Sequence, residues 1–598
     1  MAYFKRTRFS GIAPALSPKL LGDQFGQVAQ NIDFERGNLK PVKVNGASVW
    51  TLVNTVKKSI YYYETPSPNE YWLEWPQDYV KVVPGPIPGD DQYRLYWTGD
   101  GYPKYGTFDS ITGGGRQNGY PNNSYKLGIP APESAPDVTI GGELDEDIDP
   151  VEEYAWVYTY VSQFGEEGPP SYASNPLLEF TPTTQTAEVT CVAYGGVDGG
   201  QIPLTGGKIR LYRSNTGSQL TFFQFVDEKP YQAVVTFVDD KQDAELGEVL
   251  PSDTWIGPPD GNTTLYPDGS LQGLIPVANG VMAGHVGKRL CMSEPYLPHA
   301  WPIGNRITLE RDIVAIGTTA NGIVALTDGK PYFVTGVEPS AMTAITVDLA
   351  QACTNKFSVV DMGEYLLYCG PDGLCAVSGG EGKVVTKGLI DIETWRASYF
   401  PDTCKAFLWE GVYVACDPNG QIAWVYDPRA SEAALSWTDN VVAGNLWGGY
   451  TKLKDGNLYL IDNQTIVPFQ IGETAKTAKW RSKIFIAEAH TSMAWLSVSA
   501  DWVDSVPVTA TVYVDDVLLF DATFTATTRG DKAKIWKVEV ITYDVFGVPA
   551  TSGINGSSAE PMTRMPPYAG KHFEIEIEST IEVDEVCIAS TMDEIRGT

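Results

Sequence analysis

One hairpin returns along this chain at a nearly fixed interval. GIVALTDGKPYFVTG begins at Gly322, EYLLYCGPDGLCAVSG at Glu364, GVYVACDPNGQIAWVYDP at Gly411 and GGYTKLKDGNLYLID at Gly448. Each reads as two short apolar strands about a turn. The turns fall at Gly287-Lys288, Asp328-Gly329, Asp372-Gly373, Asn419-Gly420 and Asp455-Gly456, at intervals of 41, 44, 47 and 36 residues. In the last four, glycine after Asp or Asn supplies the positive φ that a two-residue hairpin turn demands. The period fits four short strands per unit, the size of a β-propeller blade. One blade cannot bury both faces of its sheet, so several must pack together. A β-sandwich rich in hairpins is the alternative.

The related stretch YRLYWTGDGYPKYG lies at Tyr93, preceded by the aromatic strands of SIYYYETPSPNEYWLEWPQDYVKVV at Ser59. Blade-like sequence thus appears near residues 50–110 and again after 270, with an insertion between. The insertion follows a Pro/Ala linker, IPAPESAPDVT at Ile129, and the acidic run GGELDEDIDPVEE. In the strand from Tyr154, aromatic residues at 154, 156, 158 and 160 alternate with Ala, Val, Thr and Val, so both faces are apolar. AEVTCVAY, GKIRLYRSNTG, LTFFQFVDE and AVVTFVDD follow at the strand spacing of a β-sandwich. FGEEGPPS at Phe164 resembles a late-strand region of fibronectin type III-like domains.

A second sandwich is expected from Lys479 onward. There Phe573, Ile575 and Ile577 alternate with Glu574, Glu576 and Glu578 as in a half-exposed strand. The best helix candidate is QFGQVAQNI at Gln24. The fold class is therefore all-β: a propeller-like body interrupted by an inserted, fibronectin type III-like sandwich, with a C-terminal β-sandwich. The expected segments are 1–125 (N-terminal segment and first propeller strands), 126–262 (inserted sandwich), 263–474 (main blades) and 475–598 (C-terminal sandwich). At 598 residues several cores are required.

No run of about 18 apolar residues is present, so no membrane span is expected. The basic start lacks a signal-peptide hydrophobic region, which points to synthesis in a cytoplasm. Eight scattered cysteines form no CxxC pair and read as buried free thiols; Cys369 and Cys375 flank one turn. Net charge is −31, yet residues 1–60 carry nine Lys/Arg against three Asp/Glu. A body this acidic argues against a nucleic-acid binder held by phosphate neutralisation. It does not argue against a surface that nucleic acid must pass without sticking.

Catalytic signatures are missing. There is no GxxxxGK[ST], no strand–GxGxxG–helix and no GxSxG elbow. The four histidines, His285, His299, His490 and His572, show no ligand spacing for zinc. Propeller sialidases repeat a Ser-x-Asp-x-Gly-x-Thr-Trp hairpin, and these turns lack its Ser and Trp. The carboxylates Glu143, Asp145, Glu146, Asp147, Asp149, Glu152 and Glu153 could bind calcium. They lack the glycine and distant glutamate of an EF-hand loop, and a solvated linker fits better. No enzyme, cofactor or metal is expected. The basic residues Lys5, Arg6, Arg8, Lys19, Arg36, Lys40 and Lys43 are the candidate partner-contacting set, docking on an acidic partner or touching DNA, or else offsetting the acidic body; no interleaved aromatics or DNA-binding helix accompany them.

Four segments together resemble the tail nozzle proteins (tail tubular protein B family) of short-tailed bacteriophages. They are GIAPALSPKLLGDQFGQVAQNIDFERGNLKPVK; YVSQFGEEGPPS with IRLYRSNTG and VTFVDD; NGVMAGHVGKRLCMSEPYLPHAWP; and RMPPYAGKHFEIEIE with VCIASTMDEI. The resemblance implies a structural protein of the virion tail, six copies forming a tube below the portal and its adaptor. Tail fibres dock on its outside, and its channel passes double-stranded DNA. Six copies would carry six times −31, about −186, and acidic walls would leave the duplex hydrated and unbound. The alternative reading is a carbohydrate-binding or polysaccharide-degrading tail protein, using Trp and Tyr with acidic residues on a propeller face.

Overall fold

The structure is a computed structural model that describes residues 3–53, 56–65, 67–116, 118–143, 152–196, 201–216, 221–430, 434–529, 533–544 and 548–596. It is all-β, with only short helices, of which Ile392–Ser398 is the longest. Six four-stranded antiparallel meanders account for the repeated hairpins among the described residues. The chain divides into two compact units, Met1–Tyr62 with Leu349–Thr598, and Tyr63–Asp348. The division at Asp348 falls inside the segment 263–474, so the blade sheets are shared between the units.

The second unit holds three of the meanders. One comprises Lys81–Pro84, Leu95–Thr98, Lys104–Gly106 and Tyr125–Lys126. The others run from Gln272–Pro276 to Arg306–Thr308 and from Ile313–Thr319 to Thr343–Thr346. Between the first and second lies the inserted sandwich. Asp137–Gly142, Gln185–Val192 and Val234–Asp239 form one layer; Trp156–Val161, Lys208–Thr216 and Thr221–Pro230 form the other. Trp156, Tyr158 and Tyr160 face a core with Val189, Cys191, Ile209, Leu211 and Phe237. On the opposite face Val157 packs with Tyr212 and Leu250. The strand is thus covered on both sides, as its sequence requires.

The first unit holds the other three meanders. The last of them, Leu446–Thr451, Leu458–Asp462 and Thr465–Pro468, is completed by Trp50–Thr51, with Ile466 opposite Trp50. The meander of Lys405–Trp409 to Ala434–Asp439 continues through Gly26–Gln30 and Ala478–Ser482 into the C-terminal strands, making one fourteen-stranded sheet. The two C-terminal layers therefore belong to a single sheet. Phe485–Ala500 and Met562–Ser579 are long enough to pass from one layer to the other, with register shifts between Ile486 and Thr491 and between Met493 and Trp495. The layers share a core that includes Val498, Val512, Phe524 and Ile588.

Three expectations need correction. Gln24–Ile32 is not a helix: Gly26–Gln30 is a strand, paired to Ala478–Ser482. Gly26 fits here because a Cβ would lie 2.6 Å from Trp480 Nε1. Glu574 and Glu576 are not solvent-facing, being 2% and 8% exposed. Arg481 Nε reaches Glu574 at 2.8 Å and Lys479 Nζ reaches Glu576 at 2.9 Å, so charge pairing lets that face close. The turns, finally, are mostly longer than two residues. Gly287-Lys288 is a true two-residue turn, between Val286 and Arg289. Asp417 instead closes a longer loop, its Oδ1 accepting from the Gln421 and Ile422 amides at 2.7 and 3.0 Å. Gly420 and Gly456 keep the positive φ that the sequence suggested, +72° each.

All eight cysteines are free and buried. Cys369 Sγ lies 3.8 Å from Cys404 Sγ, not beside Cys375, with which it flanks one turn. Burial pushes the thiols of Cys191, Cys353 and Cys375 up to about 12, and those of Cys291 and Cys587 to about 11. Thiolate is the reactive form, so the folded protein should resist a disulfide reagent. Titration with dithionitrobenzoate near pH 8 is expected to find almost no thiol in the native protein and all eight in denaturant.

Candidate interaction surfaces

The seven basic N-terminal residues do not make one patch. Three are engaged within the fold: Lys5 Nζ pairs with Glu585 at 3.0 Å, Arg6 with Asp23 at 3.4 Å and Lys40 with Asp33 at 2.8 Å. Arg6 also lies over the Phe485 ring, 4.5 Å from its centroid. Burial pushes the Asp33 carboxyl up, but Lys40, the Glu35 amide and Arg429 outweigh it and hold the group below its usual range. Arg8, Lys19, Arg36 and Lys43 are exposed. These four remain available to a partner.

The insertion is held by a charge cluster that the sequence reading passed over. Gly165, at φ +80°, turns the chain so that the consecutive residues Glu166 and Glu167 both point inward, 5% and 4% exposed. Glu166 accepts from Tyr105 Oη at 2.8 Å and Arg94 Nη1 at 3.3 Å, both in the first meander of this unit. Glu167 accepts from Thr159 Oγ1 at 2.6 Å, Tyr212 Oη at 2.7 Å and Arg210 Nη1 at 2.9 Å, all in the sandwich. One glutamate grips the blade and its neighbour grips the insert. Burial raises the pKa of Tyr105, and the Glu166 charge raises it further, so the phenol stays a donor. The signal was present in FGEEGPPS: two adjacent charges between Phe164 and Gly168-Pro169 are costly unless each has a partner.

Where the insert joins the blade, the two connecting chains touch. A Cβ on Gly128, which has φ +98°, would lie 2.7 Å from the Gly257 Cα. Lys126 Nζ pairs with Asp260 at 2.9 Å across the same neck. Beside it runs a groove of about 310 Å³ lined by Ile129, Pro169, Tyr194, Ile202, Pro258 and Tyr266.

His490 and His572 both lie close enough to Asp515 to help hold its carboxyl below the usual range. His285 is in the buried strand Met282–Val286, and His572 Nδ1 is 3.3 Å from Asp515. His299 is 4% exposed, with its ring 5.9 Å from that of Trp255. Among the described residues no three His, Cys, Asp or Glu side chains are placed to hold a metal ion. The acidic run from Glu143 to Glu153 lies mostly outside the described residues; of its members, Glu152 accepts from Tyr154 Oη at 3.1 Å.

His299 gives a pH dependence. Burial lowers its pKa, and the nearby Glu166 and Glu167 offset this only in part. The unfolded chain takes up a proton near pH 6.5, whereas the folded chain does so only at lower pH. The unfolded state thus binds more protons in that window. Stability is full above it and falls on acidification, by at most about 1.4 kcal/mol per pH unit. Urea midpoints measured on either side of about pH 6.5 should drop less in His299→Gln than in the parent protein.

No family model matches the chain, and no curated protein does. Solved structures give distant likenesses only. PorZ of Porphyromonas gingivalis, a surface component of a type-IX secretion system, aligns at 11% identity with a TM-score of 0.26, over 80% of this chain and 68% of its own. Hsv2 of Kluyvelomyces marxianus aligns at 8% identity and a TM-score of 0.23, over 59% and 94%. The Pan2 WD40 domain of Neurospora crassa aligns at 11% and 0.21, over 58% and 99%. None of these bears on function.

Proposed function

We propose that the protein is a structural component of a short-tailed bacteriophage virion, the nozzle of its tail. In this reading it acts as a homo-hexamer below the head-to-tail adaptor. Fibres dock on its outside and the genome leaves through its acidic channel.

The observation that supports this most is what the nozzle-like segments do in the fold. Gly26–Gln30 pairs with Ala478–Ser482 and joins the first of these segments to the C-terminal sheet. The second supplies Glu166, Glu167, Arg210, Arg213 and Asp239, which pair among themselves and with Arg94. The fourth provides Phe573, Ile575 and Ile577, buried in the C-terminal core. Residues shared in this way serve rigidity, which suits a conduit under pressure from packaged DNA. The four exposed cations Arg8, Lys19, Arg36 and Lys43 fit a contact with an acidic partner surface.

Negative-stain electron microscopy tests the proposal, on the purified chain alone and with the cognate portal–adaptor complex. Six-fold rings, or a stalk extending the adaptor, are expected. Particles that stay monomeric and ignore the portal would count against it.

A further inference from the structure

A cavity of about 570 Å³ opens beside the meander Val360–Asp361, Leu366–Gly370, Gly373–Ser378 and Glu381–Val384. Its size lies within the range of small-molecule sites, about 300–1,000 Å³. Ala376, Val377, Val385 and Pro428 give it apolar walls, and the rings of Tyr365 and Tyr426 line it too. Glu381 and Lys383 sit two apart on one strand, hence on one face, and line the same space with opposite charges.

The tyrosines are the informative part. Tyr426 is only 6% exposed, and Tyr365 is half-buried. Among the described residues neither hydroxyl makes a hydrogen bond to the protein. Buried phenols ordinarily find a partner. Tyr105, Tyr212, Tyr368 and Tyr413 in this chain all do, while the buried Tyr96 hydroxyl does not. Burial, helped by Tyr365 and Asp427, pushes the Tyr426 hydroxyl up to about 12, so it is a neutral donor and acceptor. Ser378, also on the wall, is already engaged, its Oγ donating to the Glu364 carbonyl at 2.7 Å.

We infer that this cavity binds a neutral saccharide, whose hydroxyls pair with Tyr365 and Tyr426 while its C–H face lies on the aliphatic wall. The chemistry selects the class. A purely apolar ligand would leave both phenols unpaired and cover two charges. A phosphate or nucleotide would meet one cation held next to a carboxylate. A sugar ring offers hydroxyls and a C–H surface together, and it carries no charge for the Glu381–Lys383 pair to oppose. The site lies wholly within the first unit, so a monomer should bind as a ring would, and the inference stands apart from the nozzle reading.

Saturation-transfer NMR on the full chain tests it, with methyl α-glucoside, methyl β-galactoside, N-acetylglucosamine and maltose as probes. At least one should receive saturation at its ring protons, with a dissociation constant near 1 mM, as is usual for a single weak site. Tyr365→Phe with Tyr426→Phe keeps both rings and removes both hydroxyls, and should weaken that sugar about tenfold. The single Tyr365→Phe change, at the half-exposed position, should weaken it severalfold without touching the core. Absence of transfer to every probe at ten times that concentration would overturn the inference. So would unchanged binding in the double variant, or p-cresol bound more tightly than every sugar.

Discussion

Replacing Arg213 by methionine is expected to lower the unfolding free energy of the inserted sandwich by about 3–5 kcal/mol. Arg213 and Asp239 are each fully buried, and Arg213 Nη1 meets Asp239 Oδ2 at 2.9 Å. The guanidinium also reaches the Lys241 carbonyl at 2.8 Å and Asp243 at 3.0 Å, and it lies over the Tyr154 and Phe180 rings. Methionine fills much of the volume but leaves Asp239 charged in the core, with Trp156 Nε1 as its remaining side-chain donor, at 2.8 Å. The cost comes from that stranded charge more than from the lost attraction. Arg213→Met combined with Asp239→Asn should therefore recover at least half of the loss, since asparagine still accepts from Trp156. Urea unfolding followed by tryptophan fluorescence measures both. A single variant within about 1 kcal/mol of the parent would contradict the account, because surface changes already span that range.

Removal of residues 1–9 should be nearly as damaging, and in a different way. Tyr3–Arg6 pairs with Val583–Ala589 and covers the free side of that strand. Phe4 stacks on Phe485 at 4.8 Å, and Phe9 is 2% exposed against Trp480. Loss of buried phenylalanine packing alone costs about 3–5 kcal/mol. The deletion also bares the edge of a strand reading VDEVCIA, a template for pairing between chains. Cys587, opposite Lys5 in the register and 1% exposed, should change from silent to reactive toward dithionitrobenzoate. Light scattering after size-exclusion chromatography should find larger, irregular species. An unchanged melting temperature together with a silent Cys587 would show that the first strand is an ornament.

The repeat was legible because it depends on local properties: apolar strands at a regular interval, broken by Asp, Asn and Gly. Its turns were less so. Asp417 folds its loop by accepting two backbone amides, and a carboxylate can do this in loops of several lengths. Gln24–Ile32 looked helical because QFGQVAQNI has no alternation of its own; it is a strand because Ala478–Ser482, far along the chain, lies beside it. Glu574 and Glu576 read as solvent-facing because the cations that bury them, Arg481 and Lys479, stand some ninety residues earlier. The clamp at Glu166 and Glu167 was hidden for the same reason, its partners lying elsewhere in the chain: Arg94 some seventy residues earlier, and Arg210 and Tyr212 together on the strand Lys208–Thr216. Of the basic N-terminal residues, the sequence could list them but not sort the paired from the exposed, since that depends on Asp23, Asp33 and Glu585.

The meeting of Gly128 and Gly257 has a consequence for how such a chain changes over time. Chain enters and leaves the insert at nearly the same point, so the blade that carries it does not register how long the excursion is. The sandwich can be treated as a removable cassette. Joining Gly128 to Gly257 through a short linker should leave the three meanders of that unit folded, because domains with adjacent ends are readily excised or exchanged. A lineage could replace the cassette to meet a new partner while keeping the rest of the machine.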